Sequence, residues 1–176
     1  MASSDEPTLR GPRVTLRPVQ PADRPVLAGM LAEPGVARWW VHGPIEDAVA
    51  ELFDVDEDTV MLTIEVDGEV AGLLQFSEEL EPDYRHAGID LFLGDAWQGR
   101  GLGAEAVRLA AHHLFDDRGH HRITIDPAAA NERAIRAYAA VGFRPVGVMR
   151  RYERAADGTW HDGLLMDLLR GELTEG

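Results

Sequence analysis

Between Ala87 and Ala104 the chain reads AGIDLFLGDAWQGRGLGA, and this stretch restricts the fold more than any other. Ile89, Leu91 and Leu93 alternate with Asp90 and Phe92, the period-two signal of a half-buried strand. Gln98-Gly99-Arg100-Gly101-Leu102-Gly103 follows at once. Apolar groups then recur at helical spacing through Leu102, Ala106, Leu109, Ala110 and Leu114. A strand, a glycine-rich turn and a helix in that order bring backbone N–H groups close to a ligand, at the positive end of the helix dipole. Such a turn cradles a pyrophosphate. Gly99, Gly101 and Gly103 are spaced by two, which is not the G-x-G-x-x-G dinucleotide fingerprint, and no Lys follows them as a phosphate-binding P-loop requires.

A chain of 176 residues, 45% of them apolar, is long enough to bury one real core. The reading is a loose leader over residues 1–12, without a periodic apolar face, and one domain over 13–170. No apolar run approaches the roughly 20 residues of a membrane span, and no charged-then-apolar signal opens the chain, so a cytoplasmic protein is expected. Without cysteine there is no disulfide and no cysteinyl intermediate. The net charge of −14 comes from 31 acids against 17 bases, every base an Arg. That balance argues against a nucleic-acid partner and suits a cationic one, although solubility alone also explains acidity.

Arg13–Arg17 reads as a first strand ended by Pro18. A helix starts near Pro21, with Val26, Leu27, Met30 and Leu31 on one face, and is expected to stop at Pro34-Gly35. Trp39-Trp40 follows, then a second helix over Ile45–Phe53. Residues 46–58 hold seven acids and no base, a solvated face or the lining of a cation site. Asp67-Gly68 between two apolar runs (Thr59–Val66 and Val70–Phe76) is a hairpin signal. His112, His113, His120 and His121 lack metal-ligand spacing and are read as surface and helix-end residues, with no metal site expected. Arg122–Asp126 is a short strand, Asn131 caps a helix closed by Gly142, and Phe143–Tyr152 pairs with Trp160–Leu169 around Ala156-Asp157-Gly158. A three-layer α/β or α+β domain follows.

Two stretches together resemble the GNAT superfamily of N-acetyltransferases. Gln98-x-x-Gly101-x-Gly103 after a strand is similar to its coenzyme A loop, and Asp126-Pro127 through Asn131, Ala134, Tyr138 and Gly142-Phe143 is similar to its second signature. Trp39-Trp40, Gly88-Ile89-Asp90 and Arg133-Ala-Ile-Arg-x-Tyr138 further resemble the aminoglycoside 6'-N-acetyltransferases, while the charged hairpin over Tyr152–Asp167 departs from them. The resemblance implies a mixed, mostly antiparallel sheet flanked by helices, with a splay between two central parallel strands, Ile89–Leu93 and Ile123–Asp126. Acetyl-CoA would be the co-substrate. Its pantetheine arm would pair near Leu91 and Leu93, and its pyrophosphate would meet the amides of Gln98, Gly99, Arg100, Gly101, Leu102, Gly103 and Ala104. Asn131 and Ala134 would flank the arm, a backbone N–H near Leu93 would meet the thioester carbonyl, and Tyr138 would stand beside the sulfur as general acid.

The acceptor implied is a cationic small-molecule amine, an aminoglycoside, handled by a monomer or homodimer. Strand ends lying side by side bring Asp90 and Asp126 together, and Asp90 is the residue expected to accept the amine's proton. A turn role before Pro127 is the alternative for Asp126, and packing on a helix is the alternative for Tyr138. Trp39 and Trp40 form an aromatic wall or part of the core. Glu51, Glu78, Glu79 and Asp83 are outer candidates for ammonium contacts. Other acceptors stay open: a polyamine, a hydroxylamine-bearing siderophore precursor or a peptide N-terminus. So does a non-catalytic module that binds coenzyme A or an aminoglycoside.

Overall fold

Asp67 and Gly68 both sit at positive φ, 50° and 81°, which gives the hairpin turn whose twist matches its strands, β3 (Thr59–Val66) and β4 (Glu69–Glu79). Around this hairpin the computed structural model, which describes residues 8–176, builds one eight-stranded sheet. β2 (Val14–Pro18) adds antiparallel to β3, and β1 (Leu9–Arg10) adds to β2. Part of the expected leader is therefore an edge strand, while residues 1–7 lie outside the described residues. On the other side β5 (His86–Leu93) pairs antiparallel with β4 over eight residue pairs. β6 (Arg122–Ile125) then runs parallel to β5, followed by β8 (Trp160–Leu169) and the edge strand β7 (Arg144–Arg154).

Helices cover both faces. α4 (Leu102–His112) and α5 (Glu132–Val141) pack on Leu16, Ile64, Leu74, Phe76, Ile89 and Leu91. The opposite face, through Met61, Leu73 and Phe92, carries α1 (Arg24–Leu31), α2 (Pro34–Trp40) and α3 (Ile45–Glu51). Alternation along β5 thus places Asp90, with Phe92, on the α1–α3 face. Among the described residues no helix is long and apolar enough to cross a membrane.

Three expectations are corrected. The first helix does end ahead of Pro34, at Leu31, but Pro34 also opens α2, which carries Trp39 and Trp40 and was not expected; the missing N–H and fixed φ of proline suit a helix's first turn. Val26 is 45% exposed rather than inward. His113 and His120 are buried, not surface residues: a π-turn over His113–Asp117 draws the first inward against Asp117, and the second meets Glu78. Among the described residues no group of three or more metal-ligating side chains comes together.

β4 and β5 approach so closely at Gly72 that a Cβ there would lie 2.1 Å from the Phe92 carbonyl oxygen, a backbone atom that cannot yield. Gly72→Ala is expected to destabilise the fold by roughly 2 kcal/mol or more, as overpacking does, seen as a lower urea midpoint with unchanged slope. An unchanged midpoint would mean that the two strands are free to part there.

Candidate active site in the strand splay

β5 and β6 pair at two positions alone, Ala87↔Ile123 and Gly88↔Thr124. Beyond them the strands diverge, and a cavity of about 400 Å³ occupies the gap. It reaches from the glycine loop, past Asn131, Ala134 and Tyr138 on α5, to Asp90, Asp126, Trp39, Trp40 and Glu153.

Local rules explain the loop. Gly99 and Gly101 adopt left-handed conformations (φ 73° and 75°), and Gly101 caps α4. With the following amides of α4 they form a helix-start anion cradle of the kind described for phosphates. A Cβ at Gly103 would make ordinary contact with the side chains of Leu93 and Leu91, so α4 begins packed against β5. Gln98 pins the loop: its Nε2 donates to the Leu93 carbonyl (2.8 Å), and its Oε1 accepts from Arg133 Nη1 (3.2 Å). Arg13 donates to the Arg100 carbonyl at 2.9 Å while Glu105 holds its Nε at 2.8 Å. The Arg100 guanidinium itself lies 5.2 Å over the Trp97 ring and does not line the cavity. The cations flanking the loop are therefore Arg13 and Arg133, both missed from sequence because they come from distant elements.

Leu91 and Leu93 sit where expected, but their carbonyls already accept bonds, from Trp40 Nε1 (3.0 Å) and from Gln98. Trp40 also meets Phe92 edge-on at 4.9 Å, so it is at once cleft wall and core. Trp39 lines the cleft with Arg38 stacked 4.4 Å from its ring centroid. Asn131 accepts from Ala134 N–H at 3.2 Å as the cap of α5, and Leu102 and Ala104 line the cradle.

At the far end Asp90 is largely buried, with Oδ1 accepting from Leu91 N–H at 2.9 Å. Burial pushes its carboxyl up to about 7, with the charges of Asp126 and Glu153 adding and the Leu91 bond opposing. Asp126 Oδ2 accepts from the Tyr152 hydroxyl at 2.6 Å. That bond, then burial, pushes the Tyr152 phenol up to about 12. Burial, reinforced by Asp90 and Asp126, raises the Tyr138 phenol well above its ordinary value, so it stays protonated. The group can act as a proton donor, a proton acceptor and an ammonium anchor within one cleft.

The outer acids do not join this cleft. Glu78 is consumed by Arg118 and His120: burial pushes its carboxyl up, but their hydrogen bonds and charges hold it below the usual range. Glu79 accepts from Glu81 N–H, and Glu51, Glu79 and Asp83 are absent from the cavity lining. Two residues not foreseen serve the site instead: Glu153 lines the cavity, and Tyr152 donates to Asp126. Their signal was the charged hairpin itself, but the register that aims them is invisible to alternation.

Residues 13–144 match the family model of the acetyltransferase (GNAT) domain. The chain is 28% identical over 159 residues to a spermidine N(1)-acetyltransferase of Escherichia coli, covering 87% of this chain and 84% of the relative. It is 32% identical over 158 residues to an aminoglycoside N(6')-acetyltransferase type 1 of Klebsiella pneumoniae, covering 77% and 76%. Among solved structures, Mycobacterium smegmatis RimJ in complex with CoA-disulfide superposes with a TM-score of 0.84 at 25% identity, over 100% of this chain and 93% of that one.

Proposed function

The chain belongs to the acetyltransferase (GNAT) domain family, and from that premise we propose that it transfers acetyl from acetyl-CoA to a primary amine of an aminoglycoside, the 6'-amine. The observation that carries the acceptor class is the far end of the cleft. Asp90, Asp126 and Glu153 face it, whereas among the described residues that line the cavity the one cation, Arg133, stands at the glycine loop. Three carboxylates without a cationic lining residue beside them suit an acceptor that arrives with several positive charges.

The residues fit the donor. Left-handed Gly99 and Gly101 and the start of α4 would hold its pyrophosphate, with Arg13 and Arg133 beside them. Beyond Gly88, β5 has no pairing on its β6 side, which leaves Leu91 and Leu93 beside the gap, and each carbonyl retains a second lone pair for the pantetheine amides. In the transfer, a C–N bond forms between the amine and the acetyl carbon, and the C–S bond breaks. Asp90 takes the proton the amine loses, and Tyr138 gives its phenolic proton to the departing sulfur. Asp126, held by Tyr152, anchors the ammonium end. A direct transfer suits a chain without cysteine.

A polyamine is the second reading, favoured by the spermidine acetyltransferase that matches over 87% of this chain. The test is release of the coenzyme A thiol from acetyl-CoA with kanamycin, tobramycin, spermidine and an alanyl peptide as acceptors. The expected result is the highest kcat/KM with the aminoglycosides, together with raised kanamycin tolerance of an expressing strain. Turnover of spermidine with silence across the aminoglycosides would replace the first reading by the second. Tight binding of coenzyme A without turnover of any amine would leave a non-catalytic module.

A further inference from the structure

β7 carries two more residues than β8 between the pairs Met149↔Gly163 and Glu153↔His161. The surplus is absorbed at Arg151, which sits at φ 48°, strained for a residue with a Cβ, while its N–H donates to Asp162 Oδ1 at 2.8 Å. Gly163 is part of the device: a Cβ there would lie 2.9 Å from the Tyr152 ring. The hairpin is in turn clamped to the chain after Asp126, through Ala129 N–H to Asp162 O and Leu164 N–H to Pro127 O. The bulge puts Tyr152 on Asp126 and Glu153 into the cleft lining, so two consecutive residues both serve one site. Glu153 meets His42, from the loop after α2, at 2.7 Å between Nε2 and Oε1. That contact bridges the tryptophan-bearing helix and the edge strand across the mouth.

We infer that Glu153 is a specificity-determining residue that takes a second ammonium group of the acceptor, and that His42 stands in for this ammonium in the free protein. The inference rests on the cationic-acceptor reading above and requires an acceptor with at least two amines, one at Asp90 and one at Glu153. A simple strap across the mouth would make His42 and Glu153 equal partners, each needed for acceptor binding. A stand-in makes them opponents, because the acceptor must displace His42 before it can reach the carboxylate.

The experiment measures acceptor KM for the whole chain and for Glu153→Gln, His42→Ala and the double variant, using kanamycin and spermidine as probes. With whichever probe the parent acetylates, Glu153→Gln is expected to raise KM about tenfold, the range of a lost close charge pair. His42→Ala is expected to lower KM several-fold, and the double variant to match Glu153→Gln alone, since His42 acts through Glu153. A higher or unchanged KM for His42→Ala, or an unchanged KM for Glu153→Gln, overturns the inference while the acetyltransferase reading stands. If the parent acetylates neither probe, the multi-amine acceptor fails and this inference with it.

Discussion

Tyr138→Phe is expected to lower kcat by about 100-fold or more, the usual size of a lost general acid, while the affinity for acetyl-CoA changes less than about twofold. The Tyr138 ring is buried on α5 against Phe143, a packing that Phe retains, so the substitution removes one hydroxyl and no wall of the cleft. That hydroxyl keeps its proton because burial and the charges of Asp90 and Asp126 all disfavour the phenolate. A departing thiolate needs such a proton, and a donor that cannot ionise in advance is always loaded. The measurement is steady-state kinetics beside a direct binding isotherm for coenzyme A. An unchanged kcat would remove Tyr138 from the proton path and leave it as a packed aromatic.

Asp90→Asn carries the second large effect, expected to reach about 100-fold in kcat/KM and to change the pH profile. A carboxyl pushed up to about 7 is protonated in acid, so the parent rate should climb as pH rises through about 7 and level above it. Asn has no proton to lose, so that limb should flatten in the variant. Stability should move the other way. The unfolded Asp90 ionises near its ordinary value, well below the folded one, so its contribution to stability is full in strong acid and is lost as pH rises through about 7. At pH 8 the parent bears a desolvated charge that Asn avoids, and the variant should be more stable by a few kcal/mol, on the order of 1.4 per pKa unit. Equal melting at pH 8 together with full activity would deny Asp90 both its burial and its task.

The strand, glycine loop and helix around Gly101 were legible because each depends on local rules: alternation, φ-permissive glycines and helical spacing. The Asp67-Gly68 hairpin and the Asn131 and Gly142 caps were legible for the same reason. The GNAT resemblance supplied the splay, which no local pattern encodes, and the pairing of β5 with β6 at two positions shows it. What stayed hidden depends on where distant elements meet. Glu78 looked like an available acid in an acidic run, yet Arg118 and His120, forty residues on, neutralise it. Arg13 reaches the loop because β2 passes beside α4. A bulge that shifts the register of β7 brings Tyr152 onto Asp126 and Glu153 into the cleft lining, and periodicity assumes that register is kept. Pro34 read as a stop because proline both ends and begins helices, and the preceding residues do not say which.

The acetyl donor is expected to thread the gap between β5 and β6 and to meet its acceptor at Asp90. A crystal structure with coenzyme A and an aminoglycoside bound would decide it. The pyrophosphate is expected on the amides of residues 98–104, the sulfur within hydrogen-bonding reach of the Tyr138 hydroxyl, and an acceptor nitrogen about 3 Å from Asp90. A donor lying outside the splay, or an acceptor whose nitrogens contact none of Asp90, Asp126 and Glu153, would contradict it.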